Sequence, residues 1–374
     1  MKKELSSIEI KYLVDELQYL LGSRVENIYN PEKKELLIVF HSSSVGKQML
    51  RAVMPGFLWV TETKQDMPER ISGFCALLRK YLDRAVASKI MQLGSERIVE
   101  LEFEGKEGTY SLILEFFSKG NAVFCQKGEI MLPLELQEWK DRAVKKGEKY
   151  VPPSREHSAF ELSLPDFRTI LSESKETVSK AMATAVGIGG TFAEEACLRA
   201  GVDKKKKKLD DAEIKKLHEV LIDLLQQKIE PNAVFDGNRV IDIVPFKLQL
   251  YSGYRQESFK TYSQALDSVL SKGIGEEKLV RVEEQFKKQI ERVDKKIEMQ
   301  EENLKEIYEK IKEEQRKGEV IYEKYQELQK LLAEIQEMRK KYNWQELKEK
   351  LKSVKYIKKI DEKTGEITIE LKNN

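Results

Sequence analysis

Cysteine and histidine are scarce in this chain. Cys75, Cys125 and Cys197, with His41, His157 and His218, are all it has in 374 residues. They are scattered, and each cysteine lies inside an apolar stretch. A zinc site needs clustered ligands and a disulfide framework needs paired ones, so neither is expected, and no metal or cofactor is assigned. A leader with an apolar core is missing from the N-terminus, as is any apolar run long enough to span a bilayer. The expectation is a cytoplasmic chain with no membrane partner. Excess charge is missing too: 66 basic against 64 acidic residues leave +2. Any nucleic-acid surface must therefore come from local clustering, not from the overall field.

What is present begins with a hydrophobic fraction of 40% and a charged fraction of 35%. The length and the apolar content allow two or three domains with a sizeable core. The abundance of Lys and Glu is a profile met in hyperthermophile proteins, inflated here by a charged helical tail. Up to about residue 160, helix and strand signals alternate. SSIEIKYLVDELQYLLGS (6–23) has helical spacing, and Ser6-x-x-Glu9 fits a capping box. ELLIVFH (35–41), GFLWVTE (56–62), RIVELEFE (97–104), YSLILEFF (110–117) and NAVFCQ (121–126) read as strands. GFCALLRKYLDRAVASKIM (73–91) reads as a helix, and YVPPSRE (150–156) as a break.

From about 160 to 272 the pattern is mostly helical, with a strand-like piece at RVIDIVPFKLQL (239–250) and a short helix at SQALDSVLSKG (263–273). Beyond Glu276, Phe286, Ile290, Val293, Ile297, Gln300, Leu304, Ile307 and Ile311 alternate spacings of four and three. That is a coiled-coil seam with one polar layer, and it calls for a partner strand from this chain or from a second copy. A helix from about 276 to 316 would extend roughly 60 Å. YIKKIDEKTGEITIEL (356–371) reads as a β-hairpin turning at Thr364-Gly365.

The stretch that carries chemistry is GIGGTFAEEACLRAG (187–201), followed by five lysines. Gly187, Gly189 and Gly190 allow a tight turn, and the amides of the helix start behind them can face a phosphate. Lys204, Lys205, Lys206, Lys207 and Lys208 would supply phosphate neutralisation. A glycine-rich helix start packed in a core, and a solvated charge run, are the structural alternatives.

This stretch resembles the helix-two-turns-helix of formamidopyrimidine-DNA glycosylases. Two features which that chemistry requires are missing: those enzymes attack through a proline at position 2, whereas this chain begins Met1-Lys2-Lys3-Glu4, and no four-cysteine zinc finger follows the hairpin. No catalytic residue and no enzymatic activity are expected. A DNA-binding or DNA-processing protein of glycosylase ancestry remains the first alternative.

A broader resemblance runs along nearly the whole chain. SSIEIKYLVDEL…GSRVENIYNP, FCALLRKYL (74–82), GSERIVELEF (94–103), LEFFSKGNAVF (114–124) and VKKGEKYVPP (144–153) occur in the order found in the NFACT family, the group of the eukaryotic nuclear export mediator factor, bacterial RqcH and archaeal relatives. The chain is similar to an archaeal member lacking the C-terminal RNA-binding domain. The resemblance implies an α+β fold. A sheet-based domain like the glycosylase N-terminal domain would occupy 1–160 and a helix-hairpin-helix domain 161–273. A coiled-coil arm would follow over 274–317, with a small α/β middle domain over 318–374.

It also implies a non-enzymatic ribosome quality-control factor. Such a factor binds the large-subunit rRNA beside a stalled peptidyl-tRNA and recruits tRNA, with alanyl-tRNA expected, for tailing without mRNA. The family's tRNA-linked positions, an aspartate near the N-terminus and an Asp-Arg pair before a strand, fall here on Glu9 and on Glu96-Arg97. Glutamate keeps the charge of aspartate but adds a methylene and a rotor. Glu9 is equally the N3 member of its capping box, and Arg97 could hold a phosphate or a base edge or simply pair with Glu96 or Glu100. Phe74, Arg79, Lys80 and Asn121 sit in the other matching motifs as secondary RNA-contact candidates. Phe74 has a core alternative and Asn121 a turn alternative. Self-association through the arm, and an adhesin or coiled-coil scaffold, are the remaining possibilities.

Overall fold

The computed structural model describes residues 2–63, 71–139, 142–153, 157–351, 354, 356–361 and 364–371, apart from the side chains of 272–286, 288 and 289. Its contacts divide the chain into two compact units, Met1–Glu277 and Lys278–Asn374.

The first unit opens with α1 (Ser7–Leu17), then β1 (Arg24–Tyr29), β2 (Glu35–Ser42), β3 (Gly46–Val53) and β4 (Phe57–Thr61). After α2 (Gly73–Leu82) come β5 (Val86–Gln92), β6 (Ile98–Gly105), β7 (Gly108–Glu115), β8 (Asn121–Gln126) and β9 (Glu129–Pro133). These nine strands are hydrogen-bonded in the order β4-β3-β2-β1-β5-β6-β7-β8-β9, every neighbouring pair antiparallel. The β1–β5 join is a single pair, Arg24 with Val86. The sheet therefore has two halves, and they share one core. Phe40 of β2 stacks on Phe103 of β6 with centroids 6.3 Å apart, and Leu36, Ile38, Val99, Leu101 and Leu114 fill the same cluster. The opposite face of β6 to β8 is covered as well. Ile98, Ile113, Val123 and Cys125 pack there with Ile130 and Val144, which is why β8 reads as a continuous apolar run rather than an alternating one.

Two expectations change at this level. The helix read over 73–91 stops at Leu82. Arg84 takes φ 58°, a left-handed residue that ends helical propagation, and Val86–Gln92 joins the sheet, with a bulge between Ala87 and Lys89 in its pairing with β6. The strand-like piece over 239–250 ends at Val244, because Pro245 cannot donate to a ladder. In β1 (RVENIY) and β3 (GKQMLRAV) polar and charged residues mask the alternation, and β9 (EIMLP) is only five residues long.

A two-strand ribbon follows, β10 (Gln137–Glu138) with β11 (Ala143–Val144). The helices are α3 (Leu164–Glu173), α4 (Val178–Ala181) running into a π turn at Met182–Val186, α5 (Gly190–Ala200) and α6 (Asp211–Leu225). A three-stranded sheet follows, of β12 (Asn232–Asp236), β13 (Arg239–Val244) and β14 (Arg255–Ser258). The two cores of this unit are crossed. Ile8 and Tyr12 of the N-terminal helix belong to the helical cluster, with Phe167, Met182, Phe192 and Leu217. Tyr262, Ala265 and Leu266, late in the chain, belong to the core of the nine-stranded sheet.

Helix α7 (Tyr262–Glu323) is continuous through the positions read as a short helix at 263–273, and Gly318 lies inside it. In the second unit the residues read as a coiled-coil seam lie on α7 and are exposed: Ile290 is 60% exposed, Val293 54% and Ile297 48%. Phe286, the first seam position, falls outside the described side chains. Helices α8 (Tyr325–Lys341) and α9 (Trp344–Leu351) pack with the hairpin β15 (Ile357–Ile360) and β16 (Ile367–Ile369). Their core is Leu331, Ile335, Leu347, Leu351 and Ile360. Among the described residues no helix is long and apolar enough to cross a membrane.

Candidate nucleic-acid interface

The start of α1 is held by its own sequence. Ser6 caps the helix in extended backbone, and the Ser6 N–H donates to Glu9 Oε2 at 2.7 Å. The Ser6 hydroxyl donates to the same oxygen at 2.8 Å and accepts from the Glu9 N–H at 3.4 Å, so the capping box read from Ser6-x-x-Glu9 forms in full. Glu9 does more than cap. Its carboxylate receives the ammonium of Lys2, which also donates to Asp242 Oδ1 at 2.8 Å and to the Ile243 carbonyl at 3.0 Å. Tyr251 donates to Asp242 Oδ2 at 2.7 Å, and the Tyr262 hydroxyl lies 3.2 Å from Glu9 Oε1. The side chains of Lys2, Glu9 and Asp242 are 8%, 2% and 7% exposed.

Two carboxylates and one ammonium thus share a site with little water. Burial opposes the charge on Lys2, but Glu9 and Asp242 outweigh it and hold the amine protonated above its usual range. Burial, with the charge of Asp242, raises the Glu9 carboxyl above the ordinary carboxylate range despite the attraction of Lys2. A lysine held this firmly as an ammonium is a poor nucleophile.

The second candidate pair sits across from this start. Ser7 donates through its hydroxyl to the Ser95 carbonyl at 2.5 Å, and Gln92 Nε2 donates to the Ser7 and Glu96 carbonyls at 3.1 and 2.8 Å. These bonds bind the 92–97 turn to α1 and set Glu96-Arg97 just before β6. Arg97 Nη1 pairs with Glu4 at 2.8 Å and donates to the Leu5 carbonyl at 3.3 Å. The Glu4 side chain is 51% exposed. Arg97 is therefore held by a surface carboxylate, which a phosphate can replace without stranding a buried charge.

The glycine hairpin forms the third wall. The π turn ends at Gly187 with φ 91°, and Gly189, with φ 86° and ψ 160°, precedes α5 without any side-chain cap. That uncapped start leaves first-turn amides free for an anion. A Cβ on Gly189 would stand 2.9 Å from Cβ of Ser6, so the close approach this glycine permits is to the α1 cap. Gly190 has open space around it. The acidic pair behind the hairpin divides its roles. Glu195 is buried, binding Arg199 Nε at 2.6 Å and accepting from the Gln249 and Leu250 amides at 2.9 Å each, whereas Glu194 pairs with Lys204 at the surface.

A cavity of about 670 Å³ is lined by Lys2, Glu9, Glu96, Arg97, Gly187, Gly189, Gly190 and Tyr251, among others. Positions of the chain's start, its first hundred residues and its hairpin meet in one cleft. The lysine run does not line it. Lys204 and Lys206 pair with Glu194 and Glu213 at 2.8 and 2.5 Å. The Lys204 and Lys206 carbonyls accept the Ser179 and Val178 amides at the start of α4, which fixes the run beside that helix. Lys205, Lys207 and Lys208 are exposed.

The secondary candidates lie elsewhere. Arg79 and Lys80 line a separate cavity of about 560 Å³ with β1 residues; Arg79 donates to the Ile28 carbonyl at 2.6 Å and sits over Tyr29. Phe74 is 5% exposed in the core and offers no stacking face. Asn121 is fully buried, accepting from the Ala122 and Glu135 amides and donating to the Glu135 carbonyl; it holds the β8 turn and presents no surface to RNA. Among the described residues no group of three or more potential ligands could hold a metal, and the three cysteines are buried and free. Lys2, Asp242, Tyr251 and Tyr262 went unread from sequence, since only folding brings residues 240 positions apart into contact.

The chain is also similar to known proteins. The family model of NFACT N-terminal and middle domains matches residues 6–374. The archaeal Rqc2 homolog aRqcH of Methanocaldococcus jannaschii is 32% identical over the whole chain, which covers 59% of that protein. The human ribosome quality control complex subunit NEMF is 22% identical over 79% of the chain, which covers 30% of that protein. The chain thus spans less than two thirds of either relative. The N-terminal part of the fibronectin/fibrinogen-binding protein of Streptococcus suis aligns with 72% of the chain and all of that structure at a TM-score of 0.58 and 21% identity, a likeness of fold.

Proposed function

This chain belongs to the NFACT family, and on that premise we propose that it serves ribosome-associated quality control, binding the large ribosomal subunit with a stalled peptidyl-tRNA and recruiting tRNA for tailing without mRNA. Alanyl-tRNA is the proposed cargo, and the ribosome makes the peptide bond. The observation that carries this reading is the shared cleft, in which Glu9, Glu96 and Arg97 stand beside Gly187, Gly189 and Gly190. A guanidinium with an exchangeable surface partner, facing an uncapped helix start, suits a phosphate backbone. The buried Lys2 ammonium supports binding without covalent chemistry.

In the same reading the nine-stranded part (1–160) is the glycosylase-like domain and the helical part (161–273) the helix-hairpin-helix domain. The exposed lysines add phosphate contacts outside the cleft. The arm (274–317) reaches along the subunit or pairs with a second copy, and 318–374 forms the middle domain. Labelled tRNA and an equal-charge abasic DNA duplex, titrated at two salt concentrations with wild type and Arg97→Ala, test it. tRNA should bind more tightly than the duplex, lose about tenfold with Arg97→Ala, and leave the duplex uncut. Equal binding to both, unmoved by the substitution, would reject the reading.

A further inference from the structure

Beside the cleft lies another cavity, of about 390 Å³, lined by Phe117, Ser118, Trp139, Arg142, Val151 and Pro152–Pro153. Its volume falls within the range of small-ligand sites, roughly 300–1,000 Å³. Phe117 lines this cavity and the cleft alike. The link runs through the backbone too: the neighbouring Phe116 N–H donates to the Arg97 carbonyl at 2.8 Å, so the pocket and the proposed RNA-binding arginine share one piece of sheet.

The pocket is built for flat, polarisable faces and not for anions. The Arg142 guanidinium lies 5.9, 5.3 and 5.1 Å from the ring centroids of Phe117, Trp139 and Tyr150. It is paired with Glu115, whose side chain is 1% exposed, and Glu115 also accepts from the Tyr150 hydroxyl at 2.9 Å. Arg142 Nε donates to the Val151 carbonyl at 2.6 Å. With its charge matched by Glu115 and its Nε and Nη2 engaged, this arginine braces the aromatic wall. Tyr150 and Phe117 pack on the small core behind β6 to β8, which makes the wall rigid. Trp139, by contrast, is 44% exposed, and its backbone N–H donates to the Arg142 carbonyl at 2.8 Å at the end of the β10–β11 ribbon. A large aromatic face on a backbone anchored in its own ribbon, half open to water, therefore lines a pocket that shares Phe117 with a cleft suited to a phosphate backbone.

We propose that this pocket takes one unstacked nucleobase of the RNA whose backbone lies along the Arg97 cleft, with Trp139 and Phe117 as its stacking platform. The inference rests on the tRNA-binding reading and adds a base-binding subsite to it. Base–aromatic stacking tolerates any base, since each has a π face. The subsite therefore holds a splayed base without selecting among sequences.

The test uses the full 374-residue chain with oligoadenylate and an abasic ribose-phosphate chain of equal length. Oligoadenylate should quench tryptophan fluorescence and the abasic chain should not. In Trp139→Phe, which keeps a ring and removes the indole, the quench should vanish while affinity stays within about threefold. Trp139→Ala should weaken oligoadenylate by about tenfold and leave the abasic chain unmoved. Unchanged denaturation midpoints show that the exposed ring is not needed for folding. Equal quenching by both chains, or oligoadenylate binding unaffected by Trp139→Ala, overturns the proposal. If Arg97→Ala still weakens tRNA in that case, only the pocket falls; if it does not, the parent reading falls with it. Quenching by a proline-rich peptide but not by oligoadenylate would overturn the proposal in favour of a protein partner.

Discussion

Two sets of lysines in this molecule meet opposite fates. Lys2 is sunk between Glu9 and Asp242, its side chain 8% exposed, while Lys205, Lys207 and Lys208 stand in water. The buried ammonium interacts strongly because little solvent screens it, and it is costly for the same reason. The exposed ones contribute almost nothing to the folded state, yet they remain available to any polyanion. Position in the fold, not residue type, decides which lysine organises the protein and which is offered to a partner.

That contrast can be broken at its buried end first. Lys2→Met leaves two carboxylates facing each other under Tyr262 and should cost about 3–5 kcal/mol of stability in chemical denaturation, the penalty of stranding a buried charge. A loss no larger than an ordinary surface substitution would show that water reaches the cluster. Next comes the contact that joins the hairpin to this cluster. Gly189→Ala places a side chain in a backbone region reserved for glycine and against Ser6. It should cost about 1–3 kcal/mol and weaken tRNA binding along with it.

Smaller effects refine the comparison. Because burial raises the Glu9 carboxyl above the ordinary glutamate range, its protonated form favours the fold. Its contribution is complete below the ordinary glutamate range and fades as pH rises through the elevated folded value. Stability measured from pH 4 upward should show this decline, and Glu9→Gln should flatten it. The contribution of Lys2, raised from 10.5, is complete below that value and is lost only at still higher pH. The least effect on folding belongs to the exposed set. Replacing Lys205, Lys207 and Lys208 together by alanine should leave the denaturation midpoint in place, and should reduce the salt dependence of RNA binding by about one counterion per lysine engaged.

The capping box at Ser6 and Glu9 was legible because it is spelled within four residues, and so was the β-hairpin around Gly365, whose turn and flanking alternation are local. The reading at 73–91 failed where two local signals abut: the helical spacing of 73–82 carries on into apolar residues that a sheet then claims, and only the left-handed Arg84 marks the change. Glu9 was legible as a cap but not as an ion-pair partner, since Asp242 reaches it through Lys2 from the far end of the unit. Arg97 and the hairpin glycines were each visible, but not their meeting, because the Gly189–Ser6 approach that joins them exists only in three dimensions. The lysine run shows the reverse. Its composition suggested one grip, and the fold engages two of its members, Lys204 and Lys206, in ion pairs.

The crossed cores bear on how this protein can be cut. Ile8 and Tyr12, near the start, complete the helical cluster, and Tyr262, Ala265 and Leu266 complete the sheet. A fragment ending near residue 160 would lose the plug of its own sheet and leave Ile8 and Tyr12 bare, while a fragment beginning there would lack the residues that close its helices. Truncations and proteolytic digests should therefore treat Met1–Glu277 as indivisible, with the natural place for scissors in α7 beyond it.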